Sequence, residues 1–315
     1  MLPQVYENAE IAASIVDDPS TAPIPETHKA MYVWMRKFVR DSWDMTPADI
    51  QILRDAGIDD HEIVVWAQIG AMQTYLVMMG DGGGVSLDHG QTVGPVVGRG
   101  RSSYTDTSGV LLASSGGGVP ASHGAADNAW VVPGQSSAEY EQAAEWARHR
   151  YGFVPNLFEA VIGEPRFLRC NMRALELLEV PQSATLSPRQ HALVRALVSS
   201  LNRCAYGAVT TRAHLQKFPD GAALYDKLSG VWDPESWDDS DRLVLSFAIK
   251  ATRNAYKIVD RDAQGFRDAG LGDEAYVDVL NTVAMQTSLD RLANSLGVRP
   301  DDRPMLAAQP SAMIA

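Results

Sequence analysis

Residues 186–206, with the sequence LSPRQHALVRALVSSLNRCAY, contain both the start and the apolar face of a helix. Ser187 and Gln190 form a capping box, and Pro188 takes the first helical position, where a missing N–H is harmless. Apolar side chains then recur at helical spacing, at Leu193, Ala196, Leu197 and Leu201. The stretch predicts a helix with one buried face.

Helical patterns also occur on both sides of this stretch. Residues 273–296 place apolar side chains on one helical face, and residues 46–49 (TPAD) start a short helix. Runs that alternate apolar and polar residues, as strands require, are scarce. The sequence therefore predicts an all-α fold.

An internal repeat relates two of the helical regions. Residues 54–57 (RDAG) recur as 267–270, and residues 71–74 (AMQT) recur as 284–287, both 213 residues later. Two tetrapeptide matches in one register indicate a duplicated unit of a helix, a turn and a second helix. The glycine that ends each RDAG motif is expected to close a helix in the left-handed conformation.

The repeat also suggests a domain organisation. The duplicated unit covers about residues 27–88 and 240–301, and residues 137–239 have no upstream counterpart. The half-copy cannot bury its apolar face alone, so it should pack on the complete domain or on another subunit. We expect three segments: a half-repeat helical unit (1–88), a Gly/Ser-rich linker or wrap (89–136) and a complete domain (137–315).

Glycine is concentrated at the join between the copies. Fourteen of the 25 glycines fall between Gly80 and Gly134. The phosphate-binding patterns Gly-x-x-x-x-Gly-Lys-Ser/Thr and Gly-x-Gly-x-x-Gly are absent there, as is the nucleophile elbow Gly-x-Ser-x-Gly. A linker, or a wrap over a neighbouring surface, is therefore favoured, and interspersed valines and leucines favour partial ordering.

Composition excludes several classes of protein. The chain has 315 residues, 45% of them apolar, and a net charge of −12, which disfavours nucleic-acid binding. The sequence has no run of eighteen apolar residues, which a membrane span would need, and no secretory signal is visible. Only two cysteines are present, as expected for a reducing cytoplasm. The histidines show no metal-ligand spacing, so we expect neither a metal nor a cofactor.

Residues 186–206 resemble the active-site helix of the carboxymuconolactone decarboxylase/alkylhydroperoxidase D superfamily, in particular its peroxidase-related branch. Residues 152–158 (GFVPNLF), 269–274 (AGLGDE) and 291–298 (RLANSLGV) resemble further motifs of that branch. The resemblance covers nearly all of residues 140–300. It implies an alkylhydroperoxidase D-like helical bundle, which the half-copy and the irregular Gly-rich segment precede in this chain. It also implies a homo-oligomer.

The same resemblance shows a degenerate catalytic motif. Peroxidases of the family use a Glu, a Cys-x-x-Cys pair and a His to reduce peroxide and relay protons. The matching positions here are Ala192, Cys204, Gly207 and Thr211, so one of the four remains. We therefore expect the two-cysteine relay to be lost.

Cys204 and His214 are the candidate catalytic residues. Cys204 is expected at a helix N-terminus, where the dipole and Arg203 would lower the pKa of its thiol. The alternative is a buried remnant thiol whose only role is packing. His214 lies three residues after the lost histidine and is either a substitute base or a surface residue. His191 is expected at the surface. Cys170 is favoured as a core cysteine over a relocated resolving thiol.

By the same resemblance, four residues line a substrate pocket: Tyr206, Thr211, Met285 and Gln286. The favoured hypothesis is a cofactor-free enzyme that acts on a small organic substrate with lyase, decarboxylase or isomerase chemistry. A one-cysteine hydroperoxide reductase that uses Cys204 is the first alternative. A non-catalytic helical scaffold for an oligomer is the second.

Overall fold

The computed structural model describes residues 8–85, 128–132, 134–179, 185–228, 230 and 232–303. Across these residues the chain forms α-helices and three short 3-10 segments, with no strand, which confirms the predicted all-α fold. The predicted Gly/Ser-rich segment 89–136 lies outside the described residues, apart from its last few. The division into three segments stays a prediction.

The helices are numbered in chain order. Their bounds are α1 Ala9–Asp17, α2 Glu26–Asp41, α3 Pro47–Asp55, α4 Asp60–Gly82, α5 Ala138–Tyr151, α6 Asn156–Ala160, α7 Pro165–Glu179, α8 Pro188–Leu201, α9 Ala205–Leu215, α10 Gly221–Leu228, α11 Asp239–Asn254, α12 Asp260–Asp268 and α13 Gly272–Leu296. The 3-10 segments are Ser42–Asp44, Pro234–Ser236 and Ala255–Lys257.

The predicted helix signals act where they were expected. At the start of α8, the Gln190 N–H donates to Ser187 Oγ at 3.2 Å, and the Ser187 N–H donates to Gln190 Oε1 at 3.1 Å. Gly57 and Gly270 have φ of 87° and 76°, the left-handed values that end α3 and α12. The capping box and both helix ends are therefore confirmed.

The duplicated unit has the same elements in the same order. The helices α2, α3 and α4, with the 3-10 segment Ser42–Asp44, recur as α11, α12 and α13 with Ala255–Lys257. The ion pairs recur too. Lys37 contacts Asp49 at 2.8 Å as Lys250 contacts Asp262 at 2.6 Å, so each first helix is tied to the short helix that follows.

The two copies pack on each other. The long helices α4 and α13 lie side by side, and Tyr75 Oη donates to Asn281 Oδ1 at 2.9 Å. The 3-10 segment of each copy contacts the long helix of the other, which gives the pair an approximate two-fold arrangement. The half-copy thus buries one face on the remainder of the same chain.

The remaining faces of the two long helices differ. On α13, Met285 and Leu289 are 9% and 5% exposed, because they pack in one core with residues of α7 and of the start of α9. Their counterparts on α4, Met72 and Leu76, are 47% and 50% exposed. Helix α4 is long and apolar enough to span a membrane, with mean hydropathy 1.3, but a core helix passes the same test, and this one packs along α13.

Candidate active site

The turn between α8 and α9 holds Cys204. Arg203 has φ of 49°, the left-handed region, and its guanidinium lies 5.3 Å from the centre of the Trp43 ring. Cys204 caps the N-terminus of α9, and its Sγ accepts the Gly207 N–H at 3.2 Å. The Cys204 side chain is buried, at 1% exposure. The predicted position at a helix N-terminus is therefore confirmed.

A buried carboxylate, Asp290 of α13, lies next to Cys204. Its Oδ1 accepts Ser199 Oγ and Gln286 Nε2, both at 3.0 Å, and its Oδ2 accepts Asn202 Nδ2 at 3.0 Å. The Cys204 thiol donates a fourth hydrogen bond to it. Among the described residues, no lysine or arginine lies within ion-pair distance of Asp290. The carboxylate is held by neutral donors alone.

Burial shifts the pKa of both groups. It raises the pKa of Asp290 from 3.8 to about 6, against the lowering effect of its hydrogen bonds. Burial, and then the negative Asp290, raise the pKa of the Cys204 thiol well above 9.0. The expectation that the helix N-terminus lowers this pKa is wrong, because desolvation and the carboxylate outweigh the dipole. Cys204 is a thiol, and Asp290 titrates close to neutral pH.

Asp290 occupies the space that a second cysteine would need. A Cβ at Gly207 would overlap Asp290 Oδ1 and lie 2.6 Å from Ser199 Oγ. Thr211, at the position matched to the family histidine, donates its Oγ1 hydrogen to the Gly207 carbonyl at 2.8 Å. A hydrogen-bonded cluster therefore stands where the family's second cysteine and histidine would be.

The other predicted pocket residues lie around this cluster. Gln286 is part of it, and its Oε1 also accepts Arg195 Nε at 3.0 Å. Met285 packs in one apolar core with Cys204 and Tyr206. The Tyr206 hydroxyl hydrogen-bonds Asp301, whose pKa burial raises to about 6. Tyr206 therefore ties the start of α9 to the chain beyond α13.

The structure does not bring His214 to Cys204. His214 is ten positions after Cys204, which is about 15 Å along α9 at about 1.5 Å per residue. Burial, and then the cations Arg195, Lys217 and Arg150, lower the pKa of half-buried His214 to about 3. His214 is therefore a neutral imidazole at the opposite end of the helix from the thiol.

Two further expectations are wrong. His191 is 3% exposed, not at the surface, and its Nε2 lies 2.9 Å from Asp278 Oδ2. Cys170 is exposed on α7, not in the core, because it points away from the apolar face of that helix. Both cysteines are free thiols, one exposed and one buried.

Sequence reasoning missed Asp290, Ser199 and Asn202. One signal for Asp290 was available, since it lies four residues after Gln286 and hence on the same helical face. A second was Gly207, the smallest residue at a position where the resemblance calls for a cysteine. Neither signal identifies the donors, which come from a helix about 90 residues away in the chain.

A narrow cleft lies near the cluster. This cleft of about 40 Å³, next to the Cys204 turn, is lined by Trp43, Trp130, Tyr206 and Asn294, among others. A groove of about 380 Å³ lies elsewhere, on α4 of the half-copy. Among the described residues, no group of three His, Cys, Asp or Glu side chains could hold a metal ion.

This arrangement of helices is the all-α fold of the alkylhydroperoxidase D-like proteins. The chain is similar to the alkylhydroperoxidase AhpD core of an uncharacterized peroxidase-related protein from Ralstonia eutropha JMP134, with TM-score 0.50 and 22% identity over 57% of this chain and 95% of that one. An uncharacterized peroxidase-related protein from Silicibacter sp. TM1040 gives TM-score 0.48 and 23% identity over 54% and 88%. The predicted resemblance is thus confirmed for the fold.

Sequence comparisons add no nearer relative. No protein-family model matches the chain, and no curated protein matches its sequence.

Proposed function

We propose that the chain is a cofactor-independent enzyme that moves a proton on a small organic substrate, as lyases, decarboxylases and isomerases do. Asp290 is its acid–base group, and Cys204 is a hydrogen-bond donor to that group. The observation that carries the proposal is the buried Asp290 carboxylate, whose pKa of about 6 suits proton exchange at neutral pH.

The surroundings of Asp290 support this role. Its neutral donors orient the carboxylate without neutralising its charge, so it can accept a proton from a substrate and return it. The aromatic cleft is lined by Arg203 and Ala205, on either side of Cys204, and the proposal takes it as the side from which a substrate would approach. At about 40 Å³ that cleft is far smaller than the roughly 300 Å³ or more typical of sites for small organic ligands, so binding requires it to widen.

The one-cysteine hydroperoxide reductase is disfavoured. A peroxidase cysteine attacks as the thiolate, which needs a lowered pKa and access for the peroxide. Cys204 has a raised pKa and 1% exposure.

A non-catalytic scaffold is the second candidate, because one observation favours it. Both oxygens of Asp290 are hydrogen-bonded inside a closed cluster, as in a structural pin that holds the α8–α9 turn on α13. The homo-oligomer and the cytoplasmic location expected from the sequence remain predictions.

Two variants separate these functions. Two activities would be compared in the Cys204→Ser and Asp290→Asn chains. The first is turnover of carboxymuconolactone, measured as carbon dioxide release, and the second is turnover of cumene hydroperoxide with dithiothreitol as the reductant. The proposal predicts that any lactone turnover survives Cys204→Ser and is lost in Asp290→Asn. The reverse pattern, with peroxide turnover lost in Cys204→Ser, would establish the peroxidase.

The scaffold has its own signature. No turnover of either compound, with both variants less stable than the wild type, would favour the pin. Asp241→Asn serves as the matched control, since Asp241 is another buried carboxylate, paired to Arg189 at 2.7 Å, and is not part of the cluster.

A further inference from the structure

The groove on the half-copy lies at the repeat counterpart of the Cys204 site. Its lining includes Gln73, Thr74 and Val77 of α4. These residues lie 213 positions before Gln286, Thr287 and Asp290, which hold the Cys204 turn. The same helical surface therefore occurs twice in the chain, and in the second copy it binds a protein segment.

In the half-copy, no counterpart of α8 and α9 covers this surface among the described residues. Residues 137–239 supply α8 and α9, which cover this surface in the second copy. The open surface has a volume of about 380 Å³, within the range of about 300–1,000 Å³ typical of sites for small organic ligands.

The walls of the groove are mainly apolar. They come from α2, α4 and the 3-10 segment Ala255–Lys257, and include Met35, Val39, Trp66, Ile69 and Tyr256. An aromatic or branched aliphatic body of a ligand would be desolvated against them.

The charged groups in the groove favour an anion. Arg253, Arg291 and Asp81 are the charged residues of the lining, which gives it a formal charge of +1 in a chain of net charge −12. Arg291 Nη1 donates to Thr74 Oγ1 at 3.0 Å, so its guanidinium is held next to α4. A guanidinium in this position suits a carboxylate, which it can bind through two parallel hydrogen bonds.

We propose that this groove is a binding site for a small apolar carboxylic acid, separate from the Cys204 cluster. The acid's apolar body lies between Trp66 and Val39, and its carboxylate faces Arg291 and Arg253. The site lies between the two copies, with α4 from the first and both arginines from the second, and is independent of the chemistry proposed for Asp290.

Calorimetry on the full chain tests the site with two matched probes, 2-naphthoate and its neutral analogue 2-naphthalenemethanol. We expect the acid to bind at least about fivefold more tightly than the alcohol, because only the acid gains the guanidinium contacts. No detectable binding of the acid at 1 mM, or equal binding of the two probes, would overturn the proposal, about 1 mM being the weak limit of a specific site.

A single substitution locates the bound probe. Val77 is 55% exposed and lines the groove, so Val77→Glu adds a negative charge there without disturbing a packed side chain. We expect 2-naphthoate to bind about tenfold more weakly to Val77→Glu, and the alcohol to bind as it does to Val77→Gln. Leu76→Glu, on the same helix outside the groove, should change the binding of the acid by less than about twofold.

Two further outcomes would overturn the proposed binding site. Unchanged binding to Val77→Glu would place the acid elsewhere and overturn the proposal. A wild-type dimer that dissociates in both Val77→Glu and Leu76→Glu would show that a second copy covers this face, which also overturns it. Asp290→Asn should leave the binding of 2-naphthoate unchanged, so failure here is distinguishable from failure of the proposed enzyme.

Discussion

The first and second copies of the helical unit share their backbone elements and differ in what covers them. In both, a left-handed glycine follows the short helix, and a lysine–aspartate pair joins that helix to the helix before it. Helices α8 and α9 cover the second copy, and its long helix carries a buried polar cluster. The long helix of the first copy carries exposed apolar residues and an open groove. The duplicated surface is therefore covered in the second copy and, among the described residues, exposed in the first.

The largest expected difference concerns leucines at equivalent positions. Leu289 is 5% exposed and Leu76 is 50% exposed. Leu289→Ala should lower the free energy of unfolding by about 2–5 kcal/mol, since it leaves a cavity, whereas Leu76→Ala should change it by less than about 0.5 kcal/mol. Urea denaturation of the two variants measures both values. Equal losses would mean that α4 is covered in solution.

Asp290 should give the covered copy a distinctive pH dependence. Its pKa is about 6 in the folded chain against 3.8 ordinarily, so between these values the folded chain keeps a proton that the unfolded chain has released. Stability therefore falls as the pH rises from about 4 to about 7, by on the order of 3 kcal/mol.

The measurement is the difference in stability between wild type and Asp290→Asn across that pH range. The contribution of Asp301, which titrates in the same range, cancels in the difference. A difference that does not change with pH would mean that Asp290 has an ordinary pKa.

Two glycines should respond in opposite directions. Gly207→Ala would push a methyl group into Asp290 and Ser199, at a cost of about 1–3 kcal/mol. Gly80→Ala on α4 meets no atom within 4 Å and should stabilise the helix by about 0.5–1 kcal/mol. Thermal denaturation compares the two. A neutral Gly207→Ala would show that the cluster is loosely packed.

The smallest expected difference is between the arginine–aspartate pairs. Asp60 accepts two hydrogen bonds from Arg54 and one from the Val132 N–H, whereas Asp273 accepts one from Arg267 and is more exposed. Asp60→Asn should therefore cost about 1 kcal/mol and Asp273→Asn less than about 0.5 kcal/mol. Equal costs, measured by urea denaturation, would mean that the contact with residue 132 adds nothing.

The sequence predicts much of the fold. Capping residues act within one turn of the helix, so neighbouring residues are enough to predict the start of α8 and the left-handed Gly57 and Gly270. The repeat is equally visible in the sequence, and it predicts an apolar face that the half-copy cannot bury alone.

The site is less predictable because it depends on contacts between distant residues. Asp290 meets its donor Ser199 only after α8 packs on α13. The direction of the Cys204 pKa shift depends on burial and on that carboxylate, neither of which the position at a helix N-terminus reveals. His214 is close to the motif in sequence but lies at the far end of the helix.

The reactivity of the two cysteines tests the central claim most directly, since exposed Cys170 is an internal standard for buried Cys204. The folded chain would be treated with iodoacetamide, or with hydrogen peroxide and dimedone, and both sites followed by mass spectrometry. We predict that Cys204 reacts about 100-fold more slowly than Cys170 and forms no trapped sulfenic acid. Faster alkylation of Cys204 than of Cys170, or peroxide-dependent trapping at Cys204, would contradict a site built on the Asp290 carboxylate.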